Sequence, residues 1–147
     1  MSLRIGLTSK LYRNTGTYAS PTWDEVSNLK DLSLEMSAQE ADASTRGTGG
    51  WAAAVTTLKE AEITFDMNWD PDDTDLQAFR DAYLNRSAIE LAVLDGVIGN
   101  TPADAHGLRA SFAVTKFSRA EPLTGQNTVS VALKPTFAAN APAWVTL

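Results

Sequence analysis

Four aspartates within six residues form the densest cluster of possible metal ligands in the sequence: Asp70, Asp72, Asp73 and Asp75. In a calcium loop the sixth position would be a sharp-turn glycine and the twelfth a bidentate glutamate, but this chain places Asp75 and Asp81 there. Asp72 instead stands where a helix N-cap is needed, with Asp75 three residues later as in a capping box. The spacing therefore favours helix capping, and it predicts no metal site.

Other residue types that could carry catalysis are few. The chain has one histidine, His106, and no cysteine. His106 falls in a predicted turn, and no Gly-x-Ser-x-Gly elbow is present. The glycine-rich run at 47–50 lacks the Lys-Ser/Thr pair of a phosphate loop. Glu60 and Glu62 would lie in a row on an open strand face and form no pocket for acid/base work. The sequence therefore predicts a protein that is not an enzyme and needs no cofactor.

The length and net charge of the chain limit its number of domains and the kinds of partner it can bind. The 147 residues fit one domain, 1–147, and the net charge is −6. That charge opposes wrapping a nucleic acid through its phosphates. No apolar run is long enough for a signal peptide or a membrane span, so no membrane partner is expected.

Alternation of polar and apolar residues predicts most of the elements. Leu32, Leu34 and Met36 point to one side of a strand while Ser33 and Glu35 point to the other, as in an antiparallel sheet with one wet face. The predicted strands are 3–9, 32–39, 60–69, 88–95, 107–118 and 127–135. An apolar stripe of Leu76, Phe79 and Tyr83 predicts a helix over about Asp72–Asn85. The fold class predicted is mostly β, an antiparallel β-sandwich or barrel with one α-helix.

Two segments are predicted as long loops, at about 10–28 and 40–59, because they are rich in Gly, Ser, Thr, Asn and Pro. The second half of the later one, "WAAAVTT", could instead extend the following strand. Trp23 and Trp51 lie in or beside these loops, where a large aromatic is costly to leave in water. Since aromatics are enriched at interfaces, we expect a neighbouring subunit to cover them.

Two stretches carry a family resemblance: "PTWDEVSNLKDLSLEMSAQEADASTRG" and "LKEAEITFDMNWDPDDTDLQAFRDAYLNRSAIELAVLDG". They resemble the major tail tube proteins of long-tailed bacteriophages. In that family a tryptophan-bearing segment leads into a strand and a polar "D-x-S/T-x-R-G" loop, followed by an acidic-tipped strand, a helix and a strand. The resemblance spans Leu3 to about Pro135, and no C-terminal immunoglobulin-like domain of the kind that some members carry is expected.

The resemblance implies a tail-tube-like β-sandwich that assembles into hexameric rings, stacked as a conduit for DNA ejection. The implied partners are other copies of the chain, the tape measure, baseplate or initiator and terminator proteins of the tail, and genome DNA that passes without specific binding. The implied location is the virion, after assembly in the host cytoplasm.

Residue roles follow from the resemblance as expectations. The lumen lining is expected to include Glu35, Glu60, Glu62 and Asp66, with Ser111, Thr115, Ser130 and Lys134 as weaker members of the same faces. Lys134 departs from an acidic lining. Any antiparallel sheet with one solvated side would also show acids there. Arg46, Trp51 and Trp23 are expected to contact the next subunit or ring, and the 40–59 loop to become ordered only on assembly.

Two alternatives remain open from the sequence. The tube subunit of a bacterial secretion or injection system has the same architecture. A monomeric β-sandwich module could bind a ligand such as a carbohydrate, with Trp23 and Trp51 as stacking platforms.

Overall fold

The computed structural model describes residues 3–99 and 105–147. The predicted turn that follows the 88–95 strand includes residues 100–104, which lie outside the described residues. Eight strands and one helix are present: β1 Lys10–Asn14, β2 Trp23–Glu25, β3 Leu29–Asp42, β4 Ala54–Asn68, α1 Thr74–Asn85, β5 Ala88–Leu94, β6 His106–Ala120, β7 Thr128–Pro135 and β8 Ala143–Thr146. Short 3-10 turns lie at Gly6–Thr8 and Arg46–Thr48.

All strand pairs are antiparallel, in the order β2-β1-β5-β6-β7-β4-β3, with β8 also on β6. The long strand β6 joins the two parts of the sheet, because its first half pairs with β5 and β8 and its second half with β7. The predicted fold class is confirmed: a mostly antiparallel β protein with one helix. The sheet does not close into a barrel, since the described β2 and β3 end the series without pairing with each other.

The core forms where alternating apolar residues of β4 meet the helix. Ile63, Phe65 and Met67 are buried, and they belong to one cluster with Leu76 and Phe79 of α1. The ring centres of Phe65 and Phe79 lie 5.2 Å apart, with the ring planes tilted by 60°, a contact that adds to the stabilisation from the apolar area buried. This cluster fixes α1 against the sheet.

The helix follows the predicted stripe only in part. Leu76, Phe79 and Ala82 are buried, whereas Tyr83 is 46% exposed. The prediction for Tyr83 is wrong because the buried stripe continues through Ala82, three residues after Phe79, and leaves position 83 at the water-facing side.

The aspartates cap the helix, with a one-residue shift from the prediction. Asp73 is the N-cap, and its carboxylate accepts a hydrogen bond from the Asp75 backbone N–H at 3.1 Å. The Asp70 carboxylate accepts from the Asp72 N–H at 3.0 Å. The capping box with Asp72 as N-cap is therefore wrong, and Asp75 is free to make a different contact.

Parts of the two predicted long loops are strands, so those boundaries are corrected, and the alternative that "WAAAVTT" extends the following strand holds from Ala54 onward. Within 10–28 lie β1 and β2. Within 40–59, β3 continues to Asp42 and β4 begins at Ala54, which leaves a turn of residues 43–53. The predicted strand at 3–9 is also wrong, because the Gly6–Thr8 turn interrupts it and pairing with β5 starts at Lys10. β1 pairs with β5, which is distant in sequence, so local composition does not reveal it, whereas the ends of β3 and β4 pair with each other across the 43–53 turn.

Candidate functional site

The hairpin of β3 and β4 extends well beyond the core. We call its outer part the arm: residues 35–42 of β3, residues 54–60 of β4 and the turn 43–53 between them. Every strand residue of the arm is exposed. Strand β4 pairs with β7 only between Ile63 and Asn68, so in the described chain the arm is a two-stranded ribbon with both outer edges unpaired. A ribbon of this kind is marginally stable by itself in water.

The four predicted acidic residues lie on one face of this hairpin. Glu35 stands directly opposite Glu62, and cross-strand partners point to the same side of a sheet. Glu60, Glu62 and Asp66 alternate along β4 and so share that side. We call this set the acidic face: Glu35, Glu60, Glu62 and Asp66. The structure therefore brings together the side chains that the sequence placed together.

The acidic face has polar and basic neighbours. The Ser130 hydroxyl donates to the Asp66 carboxylate at 2.7 Å. Lys134 shares a shallow depression with Glu35, Glu60 and Glu62, and Lys116 lines a second depression beside Asp66. The two depressions are lined by five acidic residues and three lysines, Lys59, Lys116 and Lys134, so they are acidic in balance, and the sequence analysis noted only Lys134.

The remaining weak members of the face are less regular. Ser111 lies on β6 opposite Glu90 of β5, away from the hairpin. Thr115 lies in the register shift between Val114 and Lys116, and its hydroxyl donates to the Ala132 carbonyl at 3.1 Å. The extra residue at that shift breaks the alternation from which the sequence analysis placed Thr115.

The turn of the arm carries Arg46 and Trp51. Arg46 begins the 3-10 turn, which Thr45 caps by accepting a hydrogen bond from the Gly47 N–H. Gly49 and Gly50 have φ of 66° and 85°, a left-handed backbone that favours glycine. The chain then presents Trp51 with 81% of its surface exposed, so the two predicted contact residues do lie together at the end of the arm.

Trp23 lies elsewhere. It belongs to β2, is half-buried, and packs beside Tyr12, Ala92 and Leu94 of its own domain. The prediction that Trp23 sits in a long loop is therefore corrected, because it belongs to β2, whereas its contact with a neighbouring subunit stays a prediction.

Arg109 organises the surroundings of Trp23, and the sequence analysis missed it. Its guanidinium carbon lies 3.9 Å from the ring centre of Tyr18 and 5.0 Å from that of Trp23. Its Nε donates to Glu90 at 2.7 Å with both side chains largely buried. Such cation–π and ion-pair contacts fix the 15–22 loop on the sheet. One sequence signal could have revealed it: Arg109 is a charged residue within "GLRASF", a strand that is otherwise mostly apolar and partly buried.

A second ion pair ties the helix to the sheet. The Arg13 Nε donates to Asp75 at 2.9 Å, and its Nη2 lies 3.6 Å from Asp24. Asp75 is only 5% exposed. Burial raises the pKa of Asp75 to about 6, against the opposing effect of the Arg13 hydrogen bond, and the neighbouring Asp24 carboxylate raises it as well. This carboxyl lies against the sheet, where its ion pair with Arg13 gives it a structural role.

Two further classes of site were sought in residues 3–99 and 105–147. That part of the chain contains no group of three or more acidic, histidine or cysteine side chains placed to hold a metal ion. Nor does it contain a helix long and apolar enough to cross a membrane. His106 opens β6, contrary to its predicted turn, with its Nδ1 3.1 Å from the Thr146 hydroxyl.

A family model described as phage tail tube protein matches residues 9–137. The chain belongs to this family. The resemblance found in the sequence is thereby confirmed, and the protein is a structural component of the phage tail, located in the phage particle.

Solved structures agree with the tail tube fold. One is the tail of an empty gene transfer agent particle, computed with C6 symmetry, with 18% identity, a TM-score of 0.74, and coverage of 97% of this chain and 99% of that chain. The tail tube of SPP1 has 13% identity, a TM-score of 0.72, and coverage of 90% and 75%. The baseplate of the anti-feeding prophage has 9% identity, a TM-score of 0.64, and coverage of 100% and 97%. Among curated proteins, none matches the chain in sequence.

Proposed function

We propose that six copies of this tail tube protein form a ring, that rings stack into the tube, and that DNA passes through the lumen without specific binding. The arm carries this proposal. Unpaired strand edges invite pairing with another chain, and closed symmetry satisfies such edges without unlimited growth. A neighbouring copy that extends the arm on both sides would complete its hydrogen bonds.

The acidic face supplies the lumen lining in this proposal. Like charges directly opposite each other destabilise a sheet, so the Glu35–Glu62 pair brings the lone monomer no gain. In a ring the same carboxylates would surround the duplex and repel its phosphates from all sides, which keeps the DNA from adhering to the wall. Lys116 and Lys134 reduce the charge but leave it acidic in balance.

Arg46 and Trp51 belong to the contact with the next subunit or ring. Trp23 stays a predicted member of this contact, although its own domain covers part of the ring. We also infer that the turn 43–53 is mobile in the monomer and ordered on assembly. Hydrogen exchange tests this point: arm amides should exchange much faster than β4 amides at Ile63–Met67 in the monomer, and should become protected in assembled material.

The proposal extends to partners that the tail must contain. An initiator or baseplate complex would start the tube, a tape measure protein would occupy it during assembly in the host cytoplasm, and a terminator would end it. An arm that needs a template for its unpaired edges is consistent with growth from such a starting complex.

Microscopy tests the assembly directly. Concentrated protein examined by negative stain should show rings or tubes with a central hole, and light scattering should give masses in multiples of the ring. A density map of the native particle should place the carboxylates of Glu62 and Asp66 toward the bore. Carboxylates of Glu62 and Asp66 that point outward in the assembled particle, or an assembly with no bore, would refute the proposal.

A bacterial secretion or injection tube is the second candidate, supported by the likeness to the anti-feeding prophage baseplate. The location of the coding sequence between tail genes of a prophage would decide for the phage tail. A monomeric binding module is less well supported, since Trp23, one of its two predicted stacking platforms, is half-buried. Saturable binding of a glycan by a stable monomer would favour the module.

A further inference from the structure

An apolar groove lies at the base of the arm, between β3 and the C-terminal strand β8. It is lined by Met36, Ala38, Leu108, Pro135, Pro142 and Trp144. Trp144 is 60% exposed and Met36 56% exposed. Two large apolar side chains so exposed beside each other are costly to leave in water. The groove measures about 550 Å³, within the range of about 300–1,000 Å³ that ligand pockets have, so it has room for one indole side chain.

The same chain carries an unpartnered indole of matching chemistry. Trp51 is 81% exposed at the end of the arm, and tryptophan is among the residues that most often anchor interfaces. The groove and Trp51 are thus two apolar surfaces on one molecule, each without a cover.

Trp51 cannot fill the groove of its own molecule. The ladder between β3 and β4 is closed out to the Asp42–Ala54 pair. From Ala54 back to Lys59, the nearest residue of this strand that lines the groove, the strand spans about 17 Å at ~3.4 Å per residue, and Trp51 is 81% exposed in the structure. The three steps from Trp51 to Ala54 cover at most about 11 Å. The occupant must therefore come from another copy.

The charges near Trp51 and near the groove also favour contact between these two surfaces. Arg46 is the only charged residue between positions 43 and 58. Glu60 belongs to the acidic face on the other side of the ribbon and also borders the groove at the edge of the arm, where one of its oxygens accepts a hydrogen bond from Gln39 at 2.9 Å. The other oxygen remains for a cation. Lys59 also borders the groove and opposes an incoming arginine, so the ion pair adds orientation more than affinity.

We propose that the groove at the base of one arm receives the Trp51 indole of another copy, with Arg46 directed toward Glu60. The contact joins two different surfaces, so it is head-to-tail, the type that generates rings or stacked filaments. This inference rests on the proposed function and adds to it the receiving surface, which includes β8.

Disulfide trapping tests the contact, because the chain has no cysteine of its own. Ala52→Cys beside Trp51 and Pro142→Cys at the groove, combined in one chain, leave Trp51 intact. Oxidation of material that microscopy shows to be assembled should give a ladder of linked chains on a non-reducing gel. Adding Trp51→Ala should lower the linked yield about tenfold, the effect of removing an interface anchor.

Two matched controls separate the alternatives. Ala52→Cys with Leu123→Cys places the second thiol at another fully exposed apolar residue, in the β6–β7 turn, and should give no ladder. Ile5→Cys with Pro142→Cys asks whether the exposed N-terminal segment of the same chain fills the groove, and should give no link. A ladder through Leu123, or an internal link from Ile5, would overturn the groove contact. Tubes that form normally without any 52–142 link would overturn it too, while leaving the proposed function in place.

Discussion

The buried carboxyl of Asp75 makes folding stability depend on pH in a direction that can be tested. Asp75→Asn removes its charge and keeps an oxygen to accept the hydrogen bond from Arg13 Nε, which is 2.9 Å long in the native protein. The substitution therefore isolates the ionisation of this one group. The remaining contacts of α1 with the sheet are unchanged by it.

Burial raises the pKa of Asp75 from 3.8 to about 6. A carboxyl whose pKa is raised on folding binds its proton more tightly in the folded state, so it contributes stability below pH 3.8 that is lost as pH rises through about 6. The difference of about two units corresponds to about 3 kcal/mol as an upper value. The free energy of unfolding of the native protein, relative to Asp75→Asn, should thus fall by up to about 3 kcal/mol between pH 4 and pH 7.5.

Urea denaturation of the monomer across this pH range measures the effect. Asp81→Asn on the exposed side of the same helix serves as the control, and its curve should run parallel to that of the native protein. If Asp75→Asn also runs parallel, the folded carboxyl has an ordinary pKa and the reasoning from burial is wrong. A native protein that gains stability relative to the variant as pH rises would show that Arg13 outweighs burial.

Three further predictions concern the core, the sheet and the lumen. Phe79→Ala should lower the free energy of unfolding by about 3–5 kcal/mol in urea denaturation, while Tyr83→Ala, at the exposed side of α1, should stay within about 0.5 kcal/mol of the native value. Gly107→Ala should lower the midpoint of thermal unfolding far more than Gly6→Ala. The reason is that a Cβ at position 107 would lie 1.6 Å from the Val93 carbonyl oxygen, whereas position 6 has open space around it. Equal midpoints for the two variants would contradict this close approach. Assembled Glu62→Lys tubes should retain duplex DNA in co-sedimentation at low salt and release it as salt rises, whereas native tubes should retain none under either condition.

The sequence predicted best the strands that have one solvent-exposed face, because their polar and apolar residues alternate. The alternation from Ile63 to Met67 located the core side of β4, and it located the acidic face opposite. The helix was also predictable, because its capping aspartates and its first two buried residues are close together in sequence. Both signals are local, so they do not depend on knowing the partner.

Features that depend on distant partners could not be predicted in this way. β1 and β2 are short polar segments that become strands only because β5 offers an edge to Lys10–Asn14 and β1 then offers one to Trp23–Glu25. The burial of Trp23 likewise depends on Arg109, more than eighty residues away, which contacts its ring. The candidate site shows the same division: its acidic face followed from alternation, whereas the groove beside β8 arises from β8 pairing with β6.

Folding and assembly draw on separate parts of this chain. The fully buried side chains belong to β1, the inner half of β4, β5, β6, β7 and α1, and none of those described belongs to the arm. Each ladder hydrogen bond of the exposed arm contributes little net stability, because water competes for the same groups. The buried core therefore lies in the body, and a partner that pairs with the edges of the arm would add the hydrogen bonds that the two-stranded ribbon lacks. This separation explains how one hairpin can carry the opposed carboxylates of Glu35 and Glu62 and the exposed Trp51. These residues lower the stability of the monomer little, and in the proposed ring the carboxylates would line the lumen while Trp51 would contact a neighbouring copy.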